Sequence, residues 1–567
     1  MPPPSLSHGR IAARLRVLGF ACVMLAGQNG IAAETATLAD SQQRVAAIEA
    51  ELLTLPKPAG QPTTPRLGFQ SHLTPSKKWV RITFDQPRRV DSLVLVPAVS
   101  PGAGGPVRGF GLPLEIDVEI EAANGPREHI RLTPPHPGSV APVIIPFASR
   151  EVHRMHVAAE IPWQNATPAV LAFAEIFVLD GRTNVSSHAS FSCKEPFNEG
   201  PSPARIWSES NLNDHETPLG IPVKPGPTRW KGYASAATTD QMAKKTITLD
   251  LGEPRAIDEI RLVPAHLPDV PKWTDFGFPE RFELHAADNA SFTTFTTIYN
   301  PNDRDAAGSG LNVVVIHPRK PVTTRYLRLN ASRLRERARD FLLALAEIQI
   351  FSGGKNIAIG LTPQVTDTLD DPQWNPAALT DGEAPGGTLI EWPEWFRLLD
   401  RRQSLETERA TLLAAQPALR DAEQHRRTVL LVTTFIVLAV LGLGFIAWRE
   451  RRRRREERRL RERLARDLHD EIGSNLGSIA LLTGFAQKNP SADDRLRADL
   501  ATIEQTARES ASSMRDMVRL LQLRPGLADG HWLDVLRSLT QRLLPDHHID
   551  FHTDPNLPEP GIDIRRE

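Results

Sequence analysis

Cysteine is almost missing from this chain: there are two in 567 residues. Cys22 lies in an apolar N-terminal run, which leaves Cys193 alone. No intramolecular disulfide can staple the remainder, so a disulfide scaffold is excluded. No spaced set of Cys and His residues offers a structural zinc site. An excess of one charge is missing too. Lys and Arg number 67 against 68 Asp and Glu, a formal net charge of -1, and the balance singles out no class of partner. The composition, 40% hydrophobic and 24% charged, is that of folded protein and excludes disorder as the default. The length is enough for three or four domains.

Long apolar runs are scarce, and the two present set the topology. Val17 to Gly27 follows Arg10, Arg14 and Arg16 and is followed by small residues up to Ala33. A basic start, a short apolar core and a small-residue exit read as a cleaved secretory signal. The other reading is an uncleaved anchor, for which the run is short against the ~20 apolar residues that span a bilayer. The second run, Thr428 to Trp448, carries no charge and is long enough to cross. Arg449 and Arg451 to Arg455 come directly after it. Positive flanks stay in the cytoplasm. The expected placement is a single-pass protein of the bacterial inner membrane, with residues 34–427 periplasmic and the C-terminus cytoplasmic. The arginine run reads as a stop-transfer signal in contact with anionic lipid rather than as a nucleic-acid patch.

The exported part contains a duplication. Trp79 to Ala98 matches Lys245 to Ala265, Gly109 to Ile120 matches Asp275 to Ala286, and Phe173 to Val185 matches Leu345 to Ile357, in the same order. Val80, Ile82 and Phe84 alternate with polar residues, as do Ile247, Leu249 and Leu251. That is the period of half-buried strands, and it predicts a pair of antiparallel β-sandwiches. The residues resemble the discoidin-like, galactose-binding-like family: an early Trp-x-x-Ile-x-Phe/Leu strand, a central Pro-initiated strand and a late Ala-Glu-Ile strand. The resemblance covers residues 60–185 and 227–358. It implies loops at one end of each sandwich that hold sugars, lipids or proteins, so a carbohydrate is a candidate ligand. Eight tryptophans in this half (79, 163, 207, 230, 273, 374, 392 and 395) could stack on sugars or pack, and Trp79 is expected in the core. The segment Trp207 to Gly220 resembles Trp374 to Gly387, and the second copy is expected to open a further sandwich that never follows. Gln42 to Leu55 and Trp395 to Arg427 are predicted helices, either coiled-coil or packing.

Inside the membrane the pattern turns helical. Leu460, Leu464, Leu468, Ile472, Leu476, Ile479 and Leu482 fall on one face at spacings of three and four. Residues 489–493 break the helix, and Ser491 with Asp494 reads as the next helix start. The second helix carries Leu496, Leu500, Ile503, Ala507, Met514, Met517 and Leu521 and ends at Pro525. Two such helices cannot bury their stripes alone, and a dimer forming a four-helix bundle solves that. Arg463 to Leu482, with Leu464-Ala465-Arg466-Asp467-Leu468-His469-Asp470-Glu471-Ile472-Gly473 at its centre, resembles the H-box of sensor histidine kinases of the nitrate-sensor subgroup.

The resemblance implies a homodimeric protein-histidine kinase that passes phosphate to a response-regulator aspartate, with His469 as phosphoacceptor. A neutral imidazole nitrogen is a nucleophile near neutral pH. Asp470 is placed to orient the ring or take its proton, and Arg466 to meet phosphate oxygens. Gly473 costs about 1 kcal/mol in a helix relative to Ala, and the space it leaves would suit a docking domain. The subgroup commonly has Gln five residues after the His, holding a water for dephosphorylation; here Ser474 stands there. The intact family member uses ATP and Mg²⁺. Residues 525–567 resemble the opening of the ATP-binding domain, but neither an Asn-bearing ATP helix nor an Asp-x-Gly-x-Gly loop occurs, so the chain reads as truncated and alone unable to bind ATP. The domain reading is: signal 1–33; helical segment 34–59; sandwiches 60–185 and 227–358; linkers 186–226 and 359–427, the latter with the juxtamembrane helix; membrane helix 428–448; phosphoacceptor domain 449–524; and partial ATP domain 525–567. The alternative is a membrane-anchored carbohydrate-binding surface protein with a decayed kinase tail.

Overall fold

The computed structural model describes residues 37–522, apart from 103, 124, 198–205, 268–274, 301–309, 319 and 489–492. The signal segment, Ser491, Pro525 and residues 525–567 thus lie outside the described residues. The chain divides into two compact units, residues 1–423 and 424–567.

The first unit holds two β-sandwiches of matching topology. In the first the strands are β1 (Trp79–Ser100), β2 (Glu115–Ala122), β3 (Glu128–Leu132), β4 (Val143–Ile161), β5 (Ala172–Asp180), β6 (Thr183–Asn184) and β7 (Ala189–Cys193). The first half of β1 lies between β7 and the second half of β4, followed by β2 and β3. Its second half lies between the first half of β4 and β5, followed by β6. All pairings are antiparallel. In the second sandwich the strands are β8 (Lys245–Ile257), β9 (Glu259–Val263), β10 (Arg281–Ala287), β11 (Thr296–Tyr299), β12 (Val314–Ile316), β13 (Val322–Arg333), β14 (Glu347–Ser352), β15 (Lys355–Asn356) and β16 (Gln364–Val365). Their orders are β16-β8-β13-β10-β11 and β12-β9-β14-β15. Strand for strand this is the order of the first sandwich, so the duplicated sequence is a duplicated fold. The long strands β1 and β4 bend through both sheets of the first copy, and their counterparts are interrupted in the second.

The alternation predicts the cores. Val80, Ile82 and Phe84 point into the first, and Ile247, Leu249 and Leu251 into the second. Trp79 is a correction. It is only half-buried, on the other face of β1, against His156 at a ring distance of 5.3 Å and under the Arg81 guanidinium at 4.8 Å. The period of two explains it, because Val80 already occupies the inward position.

The two segments that begin with Trp207 and Trp374 are a second correction: they close sandwiches rather than open them. Trp207 bridges Gly68, before β1, and Trp374 bridges Gly232, before β8. Both glycines have positive φ, +99° and +126°, and a Cβ on either would lie within 3 Å of the opposing strand's backbone. Leu212 and Leu379, further along the two segments, enter the respective cores. The described residues of the expected linker 186–226 belong to the first sandwich: Ala189–Cys193 form β7 and pair with β1, and Trp207 and Leu212 close it.

A further core fuses the two sandwiches. Val94, Val96 and Phe177 of the first meet Val263, Val313 and Ala346 of the second, with Trp392, Trp395, Phe396 and Leu399 of the helix that follows. Burial of this much apolar surface holds the sandwiches as one body with the first turns of that helix.

Helix α1 (Leu38–Leu52) starts at a capping box in which Thr37 accepts from the Asp40 amide and Asp40 from the Thr37 amide, each at 3.1 Å. It packs on the long helix α2 (Trp392–Asp467) through Ile48, Leu55 and Leu405. Arg402 donates to the carbonyls of Leu52 and Leu55 at 3.0 and 3.1 Å, satisfying the orphan acceptors at the end of α1. Arg44–Glu408 (2.6 Å), Arg401–Glu51 (2.8 Å) and Arg409–Glu49 (2.6 Å) flank the seam. As exposed pairs they align the helices more than they stabilise them. Both helices predicted from the sequence are thus packing helices.

In the second unit, α2 carries the one described helix that is long and apolar enough to cross a membrane. Thr428, Thr433 and Thr434 return their hydroxyls to the helix's own carbonyls at 2.7–3.0 Å, as Thr407 and Thr411 do earlier in the same helix.

Candidate functional site

The α-helical pattern stops at Asp467. Leu468–Gly473 forms a π-helical turn, followed by α3 (Ser474–Gln487) and, after the interhelical loop, α4 (Asp494–Gln522). Asp493 opens α4, its carboxylate accepting from the Arg495 amide at 3.1 Å. π-turns are rare, occur mostly singly, and concentrate at functional sites. This is the only one among the described residues, and it contains His469 and Asp470.

The wide turn alters the stripe read from the sequence. A π-turn spends an extra residue, so positions beyond it rotate away from those before it. Within the chain, α3 and α4 bury Ala480 and Thr483 on α3 and Ala507 and Val518 on α4. Leu460, Leu464, Ile472, Ile479, Leu481, Leu482 and Phe485 stay exposed, as do Leu496, Ile503 and Met517 on α4. Most of the large apolar side chains are thus left over by the hairpin, with Leu476, Leu500 and Met514 half-buried.

Around His469 the expected residues occupy successive positions on this rod. Arg466 lies exposed in the last turn of α2, Asp470 lies exposed inside the π-turn, and Ser474 is the exposed first residue of α3. The Ser474 carbonyl accepts from the Ser478 hydroxyl at 3.0 Å. A Cβ on Gly473 would approach nothing closer than the Leu468 carbonyl at 4.0 Å, so no contact inside the chain requires glycine there.

Residues 461–527 match the HisKA_3 (histidine kinase) family model. The chain carries a histidine-kinase phosphoacceptor segment of the HisKA_3 type. No curated protein matches the chain. Among solved structures, it is similar to chitosan-binding module 1 derived from a chitosanase/glucanase of Paenibacillus sp. IK-5, at 14% identity over 20% of this chain and 74% of that one (TM-score 0.16). It is similar to CpGH89CBM32-6 from Clostridium perfringens at 20% identity, over 20% and 73% (TM-score 0.15). It is also similar to a fucolectin from striped bass (Morone saxatilis) serum at 12% identity, over 50% and 85% (TM-score 0.15). Scores this low carry nothing about ligand or activity.

The sandwiches of this HisKA_3-bearing chain hold polar groups that the sequence reading passed over. Glu175 on β5 and Glu347 on β14 are equivalent in the repeat, and both are fully buried. Each has one oxygen accepting a backbone amide, from His215 at 3.2 Å and Gly382 at 3.0 Å, and one oxygen with no partner. Burial, followed by the nearby Asp214, pushes the Glu175 carboxyl well up. Burial, followed by Asp381, pushes the Glu347 carboxyl up to about 9. The signal was there: Ala174-Glu175-Ile176 and Ala346-Glu347-Ile348 each set an acid in the middle of an apolar strand.

Proposed function

We propose that the chain is a single-pass sensor of the two-component type, which accepts a phosphoryl group on His469 and passes it to an aspartate of a response regulator. The observation that carries this is the coincidence of the π-turn with His469 and Asp470 inside the segment that matches the histidine-kinase model. In the proposed reaction the unprotonated imidazole nitrogen attacks the γ-phosphorus of Mg-ATP. An N–P bond forms, the bond to the ADP oxygen breaks, and the proton on the other ring nitrogen is held or taken by Asp470. Arg466 neutralises charge on the transferring group. Mg-ATP belongs to a catalytic domain and is assigned to no residue of this chain.

The exposed leucines and isoleucines of α3 and α4 support a homodimer, because a second copy covers them in a four-helix bundle. The apolar run of α2, followed by Arg449 and Arg451 to Arg455, supports an inner-membrane placement with periplasmic sandwiches. The core shared by both sandwiches and the first turns of α2 supports sensing by the sandwiches, since ligand strain there acts on the helix that enters the membrane.

The test supplies the ATP-binding catalytic domain of an intact histidine kinase and labelled ATP to the full chain in nanodiscs. Label is expected on the chain and absent after His469→Gln. Undiminished labelling of that variant would remove the proposal.

A further inference from the structure

Just past the apolar run, the charges of α2 are sorted to two sides. Glu450, Glu456 and Glu457 are the acids between Arg449 and Leu460. They pair along the helix with Arg454 (3.0 Å), Arg452 (3.1 Å) and Arg453 (3.3 Å) respectively. Arg449 borders the apolar run. Arg451, Arg455, Arg458 and Arg459 remain, exposed and with no acidic partner among the described residues.

An α-helix turns by about 100° per residue. The four unpaired arginines therefore fall within an arc of about 100°, and the three glutamates within an arc of about 120° on the opposite side. Leu460 and Leu464, both exposed, lie on the glutamate side. Glu462 closes the far end of the arginine stripe. At about 1.5 Å per residue, the stripe runs from about 4 Å to about 16 Å beyond Trp448. The headgroup layer is about 5–8 Å deep on each side of a bilayer. Cα–Cβ bonds lean towards the helix N-terminus, which is here the membrane end. Arg451 and Arg455 thus reach headgroups with their charged tips. Arg458 and Arg459 stand about one Debye length, ~8 Å, further off.

We infer that this stripe is a one-sided binding face for anionic phospholipid headgroups of the cytoplasmic leaflet. A guanidinium fits a phosphodiester with two parallel hydrogen bonds. The other side of the same turns gains little from such a lipid, because each of its arginines is already matched and its glutamates would meet the headgroup as like charges. The run of arginines reads alike on all sides of the sequence; the ion pairs decide which side stays positive. Lipid held on this side also leaves Leu460 and Leu464 free to meet a second copy. The inference rests on the membrane placement of α2 proposed above and is independent of the phosphoacceptor chemistry.

The full chain is reconstituted in nanodiscs of phosphatidylcholine and phosphatidylglycerol, with one lipid or the other brominated in its chains. Bromine quenches tryptophan on contact, and the part of the quenching that Trp448→Phe removes reports the lipids beside the head of the stripe. Phosphatidylglycerol is expected to be preferred there by at least about fivefold, the worth of one arginine near an anionic surface. The triple variant Arg451→Gln, Arg455→Gln, Arg458→Gln should bring the preference close to one. The triple variant Arg452→Gln, Arg453→Gln, Arg454→Gln removes the same charge from the paired side and should keep it. Equal loss in the two variants, or no preference in the parent chain, would overturn the inference. So would loss of the preference on adding inorganic phosphate at matched ionic strength, which would make the stripe a site for soluble anions. A chain that fails to migrate with the discs would sink the membrane placement and this inference together. One that migrates with them and shows no preference sinks this inference alone.

Discussion

Glu347→Gln isolates the effect of burying an acid. The Glu347 carboxyl is pushed up from an ordinary 4.5 to about 9, by burial first and Asp381 second. Its folded-state pKa therefore lies above its unfolded value. The stability it permits is fully present below pH 4.5 and declines as pH rises towards 9. One pH unit corresponds to about 1.4 kcal/mol. Between pH 4.5 and 7 the second sandwich should thus lose about 3 kcal/mol through this group alone. Glutamine keeps the shape and the acceptor for the Gly382 amide but cannot ionise. Its extra N–H inherits the place of an oxygen that has no partner, which lowers stability by about 1–3 kcal/mol at every pH. The slope rather than the level carries the test. Denaturant unfolding of the full chain, followed by tryptophan fluorescence between pH 4.5 and 8, should show the variant gaining on the parent by about 3 kcal/mol by pH 7. Parallel curves would refute the reasoning and place a compensating positive charge beside Glu347.

Four further outcomes follow from the same geometry. Asp470→Asn should slow phosphate acceptance by His469 by about 10²–10⁴-fold, read as initial labelling rate with the same catalytic domain, while helix content is unchanged. Ser474→Gln should raise dephosphorylation of the response regulator and leave acceptance intact, measured as loss of label from the regulator. Ile48→Ala, in the seam between α1 and α2, should cost about 2–4 kcal/mol locally and appear as faster amide exchange in α1, whereas Glu408→Ala on the exposed edge should leave exchange almost unchanged. Phe396→Ala, at the junction of both sandwiches with α2, should cost about 3–5 kcal/mol and loosen both sandwiches together in a single melting step.

Much of this was legible in the sequence because it depends on local periodicity. Alternation at Val80-Ile82-Phe84 and Ile247-Leu249-Leu251 fixes which side of a strand faces a core, whatever the neighbours are. The ordered repeats announced two like domains, the uninterrupted apolar run of α2 announced a helix long and apolar enough to cross a membrane, and the string around His469 announced the family. Pairings between distant residues had no such local sign. The sequence around Trp207 and Trp374 looks like the start of a domain. Only the approach of Gly68 and Gly232 to the opposing strands shows that it is the end of one. Residues 186–226 read as a linker because β7 is short and lies among polar residues, and its membership comes from pairing with β1. The π-turn at His469 was hidden as well, because it changes the hydrogen-bond partner by one residue while every side chain still suits an α-helix. Sequence periodicity determines what a segment buries. Which segment it is buried against is a matter of long-range complementarity of shape and charge, and that was decided only by the folded whole.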